Sequence, residues 1–272
     1  MVPYDTDAIA RDVIAVQGGA SRIEPFTTRF PDFDLPAAYR VAEAVRKWRC
    51  DQGAVPVGRK IGFTNPEMWS LYGVRRPIWG YMYDTTVTYA DDGRSECGLG
   101  MFAEPRIEPE VVFGLRCAPP ASGDPADIVP CLDWYALGFE IVQSHFPGWR
   151  FRAPDAVADG SLHGALIVGE PRRLTGNTTL PAAELERFSL SLVCDGELRE
   201  TGVGANVLGS PLTALAHLTG LLADAPTEQR IRAGEIVTTG TITTAHVVAP
   251  GERWEASVDG LDLPGLSVEF AA

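Results

Sequence analysis

After Gly53 the chain never keeps one hydrophobic period for long. Nine short apolar or alternating runs follow one another: PVGRKIGFT, GYMYDTTVTYA, IEPEVVFGL, YALGFEIVQ, GALIVGE, FSLSLVCDGEL, EIVTTGTIT, WEASVDGL and LSVEF, separated by Gly, Pro and Asp. Runs of this length with β-branched and aromatic residues read as strands, so this part of the chain is β-rich. With 272 residues and 45% hydrophobic content, the chain can bury a sizeable core.

Helical signals concentrate before Gly53. Residues 4–17 read as a short helix with Asp5 or Thr6 as its cap. DFDLPAAYRVAEAVRKWRCDQGA reads as a longer one. Asp34 caps it, Pro36 sits in its first turn, and Leu35, Ala38, Val41, Ala42, Val45 and Trp48 form one apolar face. Further on, SPLTALAHLTGLLADA (210–225) is the clearest internal helix, with Ser210 as cap. CDGEL (194–198) and VDGL (258–261) carry Asp-Gly hairpin signals. There is no internal repeat and no long linker. The expectation is one α+β catalytic domain over 1–272: a helical segment, 1–54, and a β-rich metal-binding body, 55–272.

A formal net charge of -13 repels phosphate backbones and anionic lipid, which argues against nucleic-acid and membrane-surface binding. A small anionic substrate stays compatible, because a metal or a few cations can reverse the potential inside one cleft. The five cysteines are widely spaced and form no CxxC, as expected of reduced thiols in a cytoplasmic protein. No basic leader precedes an apolar segment, and no apolar run approaches the roughly 18 residues of a membrane span.

Against that apolar background, IEPEVVF places Glu108 and Glu110 on one face of a strand, with Ile107, Val111 and Phe113 on the other. Pro109 between them cannot donate to a ladder and suggests an edge or a bulge. Taken alone, E-x-E fits a solvated strand face. A third acid, Glu140, lies inside the apolar run ALGFEIVQ, where an ionised carboxylate is costly unless it is paired or binds a cation. A salt bridge to one of the basic residues is one solution. Convergence of all three acids on one hard cation, Mg2+ or Mn2+, is the other.

GRKIGFT (58–64), RRPIWGYMYD (75–84), RIEPEVVFGL (106–115), GFEIVQS (138–144), DAVADG (155–160), GVGANVLGSPLTALAHL (202–218) and AGEIVTTGTIT (233–243) occur in order. Together they resemble the hydratase/decarboxylase branch of the fumarylacetoacetate hydrolase superfamily, which includes 2-keto-4-pentenoate hydratases and 4-oxalocrotonate decarboxylases. The resemblance implies a mixed β-sandwich roll with an N-terminal helical segment. It also implies a divalent metal held by Glu108, Glu110 and Glu140, a lysine at Lys60, and an assembly of identical subunits, with a complex with a related pathway enzyme as a further option. Substrate contacts then fall on Asp159 and on Thr241 of the GTIT segment.

Two departures bear on the substrate. Ile78-Trp79-Gly80 stands where the hydratases carry Asp-aromatic-Gly, so an acid that could handle protons is missing. The family's A-D-N-A-S segment becomes ADGSLH, with Leu162 in place of a pocket serine and His163 beside it. SHFPGWRF brings His145 and Trp149 near Glu140 in sequence. Ile78 and Leu162 are expected to make an apolar wall suited to a bulkier or aromatic tail. His145 and His163 are candidate bases.

The first reading is a metal-dependent hydratase of a 2-hydroxy-dienoate or 2-oxo-enoate, with a small anionic 2-oxo acid as ligand. Decarboxylation, which Ile78 favours, and C–C hydrolysis of an acylpyruvate, with His145 or His163 as base on water, are the alternatives. A non-catalytic partner of a hydratase–decarboxylase complex is a fourth reading, and the intact acids with Lys60 argue against it. Lys60 is expected to contact the substrate, its replacement costing turnover far more than stability.

Overall fold

The computed structural model describes residues 4–66, 69, 73–175, 180–226 and 229–272. Three helices open the chain: α1 (Thr6–Gln17), α2 (Phe26–Arg29) and α3 (Leu35–Asp51). Seven strands follow in the first half of the body: β1 (Pro56–Gly62), β2 (Ile78–Tyr83), β3 (Val87–Tyr89), β4 (Arg94–Gly98), β5 (Arg106–Leu115), β6 (Leu132–Val142) and β7 (His163–Val168). Seven more complete it: β8 (Arg172–Arg173), β9 (Ser189–Cys194), β10 (Glu197–Val203), β11 (Ile236–Thr241), β12 (His246–Val247), β13 (Arg253–Asp259) and β14 (Leu266–Ala271). Short helices at Ala153–Ala158 and Pro211–Leu221 lie between strands.

The capping chemistry acts as the sequence predicts. Asp5 accepts from the Asp7 amide, Asp34 from the Ala37 amide, and Ser210 from the Leu212 amide, each satisfying a first-turn N–H. Trp48 departs from the expected apolar face: it is 44% exposed, while α3 buries Ala37, Ala38, Val41 and Val45.

The strands form two mixed sheets. The larger runs β2-β1-β11-β5-β6-β7-β3, with β12 also beside β5 and β8 beside β6, and the smaller runs β10-β9-β13-β14-β4. Ile107, Val111 and Phe113 of β5 pack with Leu190 and Leu192 of β9, Trp254 of β13, and Val268 and Phe270 of β14, so one face of the large sheet makes the inter-sheet core. Its other face curls inward. Met82 and Val87, from the two edge strands, meet Val112, Ala136, Leu166 and Ile236 in one buried cluster. The close winding depends on glycine: a Cβ on Gly114 would lie 2.1 Å from the Trp134 ring. A third cluster packs α1, α2 and α3 onto Phe146, Ala156, Val157, Ile78 and Leu162. This is the α+β sandwich roll with a helical N-terminal segment that the strand pattern and the resemblance imply. Among the described residues no helix is long and apolar enough to cross a membrane.

Of the two options for Pro109, an edge or a bulge, the structure takes the second, since β5 pairs with β6 on one side and with β11 and β12 on the other. Pro109 stands beside a break in register between Thr238 and Thr241 of β11, and its carbonyl accepts the Ile242 amide at 2.9 Å. CDGEL is the hairpin expected, with Asp195 and Gly196 both at positive φ between β9 and β10. VDGL is not: β13 and β14 pair, but Leu261 and Leu263 of the longer connection are buried, and that burial outweighs a tight turn at Gly260.

Candidate active site

Strand alternation aims four charged side chains into the curled inner face of the large sheet. On β5, Glu108 and Glu110 continue the row that includes Val112; on β6, Glu140 continues the row of Ala136 and Gly138. The register sets Glu108 opposite Glu140 and Glu110 opposite Gly138. One carboxylate oxygen from each of Glu108, Glu110 and Glu140 lies within 4.8 Å of the others. Lys60 of β1 reaches over β11 and β5, a span that only the curl permits, and places Nζ 2.9 Å from Glu140 Oε2.

Each acid is held differently. The break in β11 puts Gly240 at φ 98, where its N–H donates to Glu110 Oε2 at 2.7 Å. A side chain there would collide with Thr64, whose Oγ1 would be 1.9 Å from the added Cβ. Glu110 Oε1 is buried with no hydrogen-bond partner. On Glu140, Oε1 accepts from His163 Nδ1 at 2.8 Å, while His163 Nε2 lies 2.9 Å from the Thr86 hydroxyl.

Burial, helped by repulsion from Glu140, pushes the Glu108 carboxyl up to about 7 against the pull of Lys60. Burial and the two neighbouring acids hold Glu110 well above the ordinary carboxylate range. Burial also opposes the charge on Glu140, but the Lys60 ammonium and the His163 hydrogen bond outweigh it and bring that carboxyl down to about 2. Burial likewise works against the Lys60 charge, and the attraction of Glu140, Glu108 and Glu110 overcomes it and raises its pKa.

Three carboxylates and one ammonium leave two negative charges, which one divalent cation neutralises. The all-oxygen donor set suits a hard cation, and the orphaned Glu110 Oε1 offers it a ligand atom. Glu108 and Glu110 have folded pKa values above their unfolded ones. Metal-free stability from these two groups is therefore greatest at low pH and falls as pH rises above about 4.5, through about 7 for Glu108 and past the ordinary carboxylate range for Glu110. A cation must displace those protons. Titration calorimetry in buffers of different ionisation enthalpy should show proton release on Mg2+ binding, and affinity rising by up to about a hundredfold per pH unit between pH 6 and 7, a factor of about ten for each of the two protons displaced. Affinity independent of pH over that range would show that the two acids do not ligate.

A cavity of about 190 Å³ opens onto the cluster, and Lys60, Glu108, Ile78, Leu162 and Thr241 all line it. Glu110 and Glu140 lie deeper, both fully buried. Thr241 Oγ1 is buried without a partner and is available to a ligand. Phe63, Trp149, Ser161 and Leu162, all on the wall, hold left-handed φ values of 57–65°. Such backbone is unfavourable for bulky L-residues and collects where a site imposes its shape.

Three expected site residues are placed elsewhere. His145 and Asp159 do not reach this cavity: His145 Nδ1 is 2.8 Å from Asp159 Oδ2, and Gln17 of α1 donates to Asp159 Oδ1 at 3.0 Å. β6 ends at Val142, and the chain then turns His145 toward the helical segment, where its carbonyl accepts the Ile23 amide. His163 stands behind Glu140 and lines a second cavity of about 270 Å³ that carries no carboxylate. It positions a carboxylate rather than facing the first cavity. Arg106 was missed as a site residue. It lines the first cavity and stacks on Trp149, with Cζ 4.2 Å from the ring centroid. The signal was present, since 106, 108 and 110 share a strand face.

The family model for the fumarylacetoacetate (FAA) hydrolase C-terminal region matches residues 102–264, a span that holds all three acids. A 2-hydroxyhexa-2,4-dienoate hydratase of Comamonas testosteroni is 26% identical over 252 residues, 92% of each chain. A 4-oxalocrotonate decarboxylase of Pseudomonas putida is 28% identical over 257 residues, 93% of each chain. The solved 4-oxalocrotonate decarboxylase from Pseudomonas putida G7, complexed with magnesium and adipate, superposes with a TM-score of 0.88 at 27% identity over 97% of each chain. These relatives are enzymes of the hydratase/decarboxylase branch. The two-sheet roll, its buried acids and a family match over more than half its length lead to one conclusion: the chain belongs to the fumarylacetoacetate hydrolase family.

Proposed function

We propose that the chain is a divalent-metal-dependent lyase that enolises a small 2-oxo acid and hydrates it, as a 2-keto-4-pentenoate hydratase does. The observation that carries this reading is the approach of Glu108, Glu110 and Glu140 to within 4.8 Å, with Lys60 against Glu140. The magnesium and adipate of the solved relative support a site that takes both a metal and a carboxylate.

Glu108, Glu110 and Glu140 would hold Mg2+ or Mn2+, and the cation supplies Lewis-acid polarisation of a 2-oxo group. The chain's own residues do the rest. Lys60 supplies the positive charge that an anionic ligand needs beside three acids, and as an ammonium stands where it can donate a proton to the substrate. The free Thr241 hydroxyl can donate to the substrate carboxylate. Ile78, Leu162 and Phe63 exclude water from the carbon chain. His163, linked to Thr86, keeps Glu140 oriented.

Decarboxylation is the second reading, favoured by one observation. Among the described residues, Glu108 is the only acid on the wall of the cavity, and no histidine lies there, so the wall supplies little to activate an added water. Loss of CO₂ needs no such group. C–C hydrolysis loses its expected base on the same ground.

The purified chain with Mg2+ should be given 2-hydroxypenta-2,4-dienoate, 4-oxalocrotonate and an acylpyruvate, and the products weighed. A gain of water supports the first reading and loss of CO₂ the second. In D₂O, hydrogen at C3 or C5 should exchange in either case, since enolisation comes first. Cleavage of the acylpyruvate without exchange would overturn both.

A further inference from the structure

Arg49 stands on the wall of the second cavity, the one of about 270 Å³ behind Glu140. That wall holds no carboxylate, and among the described residues Arg49 forms no ion pair. In a chain of net charge -13, this is not for want of acids. Two neighbours that also line the cavity fix the guanidinium. Its Nη2 donates to Gln17 Oε1 at 2.9 Å, and its Cζ lies 5.0 Å from the centroid of the Tyr83 ring. Gln17 is held in turn, because its amide donates to Asp159. A cation fixed on a wall without acids selects an anion. The rest of the wall sets the shape of that anion. Tyr39 stacks on Trp79 with centroids 5.2 Å apart and planes at 25°, and Tyr81 meets Trp79 edge-on at 5.2 Å. With Phe102, these rings suit a flat, apolar body. Small-molecule sites begin at roughly 300 Å³, so the cavity fits a single ring and is too small for a nucleotide.

The two cavities share a partition. Ile78 of β2 faces the first cavity, and Trp79 and Gly80 the second. In the turn after Asp159, Ser161 and Leu162 face the first, and Gly160 and His163 the second. Strand and turn are pressed together. A Cβ on Gly80 would lie 2.6 Å from the Gly160 carbonyl oxygen, and the Ser161 hydroxyl donates to the Trp79 carbonyl at 2.7 Å. Gly160, Ser161 and Leu162 hold successive left-handed φ values of 64°, 58° and 65°, a run that persists only where its surroundings impose it. His163 completes the link, with Nε2 toward Thr86 on the second cavity and Nδ1 on Glu140. A body that fills the second cavity therefore bears on the wall of the first and on the residue that orients one of its acids.

We propose that the second cavity is a separate ligand site, for a small planar aromatic carboxylate read by Arg49, and that its occupation strengthens metal binding across the partition. The sign of the coupling follows from charge. An anion behind the three acids adds to their attraction for a divalent cation, and the cation strengthens binding of the anion by the same factor. The ligand site stands on Arg49 and the aromatic wall alone. The coupling rests on the reading of the acids as a divalent-metal site.

Benzoate and its neutral counterpart benzamide are the probes, titrated by calorimetry into the full chain, first without metal so that chelation cannot contribute. The native chain should bind benzoate more tightly by roughly 10- to 100-fold, the range of a hydrogen bond to a charged group. Arg49→Gln should lose that preference, and Arg49→Lys should keep part of it. Ala42→Phe, which puts a ring into the second cavity, should abolish binding of both probes. Arg106→Gln, on the first cavity, should change neither affinity by more than about threefold. Mg2+ should then bind the native chain at least about fivefold more tightly with saturating benzoate than without it, and Arg49→Gln and Ala42→Phe should both lose that gain. Should Ala42→Phe melt early, Arg49→Gln decides the same point. No preference for benzoate in the native chain overturns the site, as does a preference that survives Arg49→Gln or disappears in Arg106→Gln. Benzoate binding with no effect on Mg2+ affinity overturns the coupling. A native chain that binds benzoate but no Mg2+ overturns the metal reading and leaves the ligand site standing.

Discussion

Replacing Glu110 by glutamine is expected to remove most of the activity while leaving the metal-free protein at least as stable as before. The two effects separate because Glu110 has a poor environment as a carboxylate and a good one as an amide. It is fully buried, Gly240 donates to one oxygen, and the other has no partner. Burial and two neighbouring acids hold its pKa well above the usual range, which is the mark of a group that costs stability when ionised. In the variant, the amide oxygen still accepts from Gly240, and the new N–H groups face Glu108 and Glu140. Repulsion becomes hydrogen bonding. The divalent cation loses a charged ligand, and turnover should fall by at least about 10²-fold, the scale on which an electrostatic contact to developing charge is lost. Thermal unfolding with and without Mg2+ reads both effects. Saturation at a hundred times Kd stabilises a native protein by about 2.7 kcal/mol, a shift of several degrees. The native chain should show that shift and Glu110→Gln should show little of it. A metal-free variant that melts well below the native chain would make Glu110 a structural residue, and a retained Mg2+ shift would remove it from the ligand set.

The same residues show what a sequence can and cannot reveal here. Strand alternation is local, so IEPEVVF already shows that Glu108 and Glu110 leave one face while Ile107, Val111 and Phe113 enter the core on the other. The cost of an ionised carboxylate inside ALGFEIVQ depends only on its neighbours in sequence, so Glu140 stands out as well. Their meeting is a property of sheet order and curl. Lys60 reaches Glu140 because β1, β11, β5 and β6 are consecutive in space, and nothing in the strand sequences states that order. The resemblance to a family supplied what periodicity lacks. Nearness in sequence misled in one place: His145 follows Glu140 closely, yet the strand ends between them and the ring pairs with Asp159 instead. It was passed over in another, since Arg106 obeys the same alternation as the two acids. Pro109, which marks an edge or a bulge, stands beside an irregularity in the neighbouring strand, and choosing between the two needed the sheet order.

Lys60→Met should produce the opposite signature to Glu110→Gln. The sequence alone suggests that losing this lysine would spare stability. The structure corrects that, because Lys60 is 3% exposed and lies 2.9 Å from a fully buried Glu140. Removing one partner of a buried ion pair leaves the other charge uncompensated, typically at a cost of about 3–5 kcal/mol. The pH range over which the pair contributes follows from its shifts. The folded pKa of Glu140 is depressed to about 2, so its contribution is present above the ordinary carboxylate range and is lost as pH falls through that value. That of Lys60 is raised, so its contribution is present below the ordinary lysine range and is lost as pH rises through the raised value. The metal-free variant should therefore be clearly less stable than the native chain at neutral pH, and the difference should shrink in acid. With Lys60 gone, three acids face a divalent cation without a competing ammonium, so Mg2+ should bind more tightly and restore much of the lost stability. Turnover should not return with it, because the site then lacks the charge that receives the substrate carboxylate and the group that moves a proton. Stability, metal affinity and kcat measured on one preparation separate these roles. A variant as stable as the native chain without metal would show that the Lys60–Glu140 pair contributes nothing to the fold. An unchanged kcat in the Mg2+-loaded variant would take Lys60 out of the chemistry.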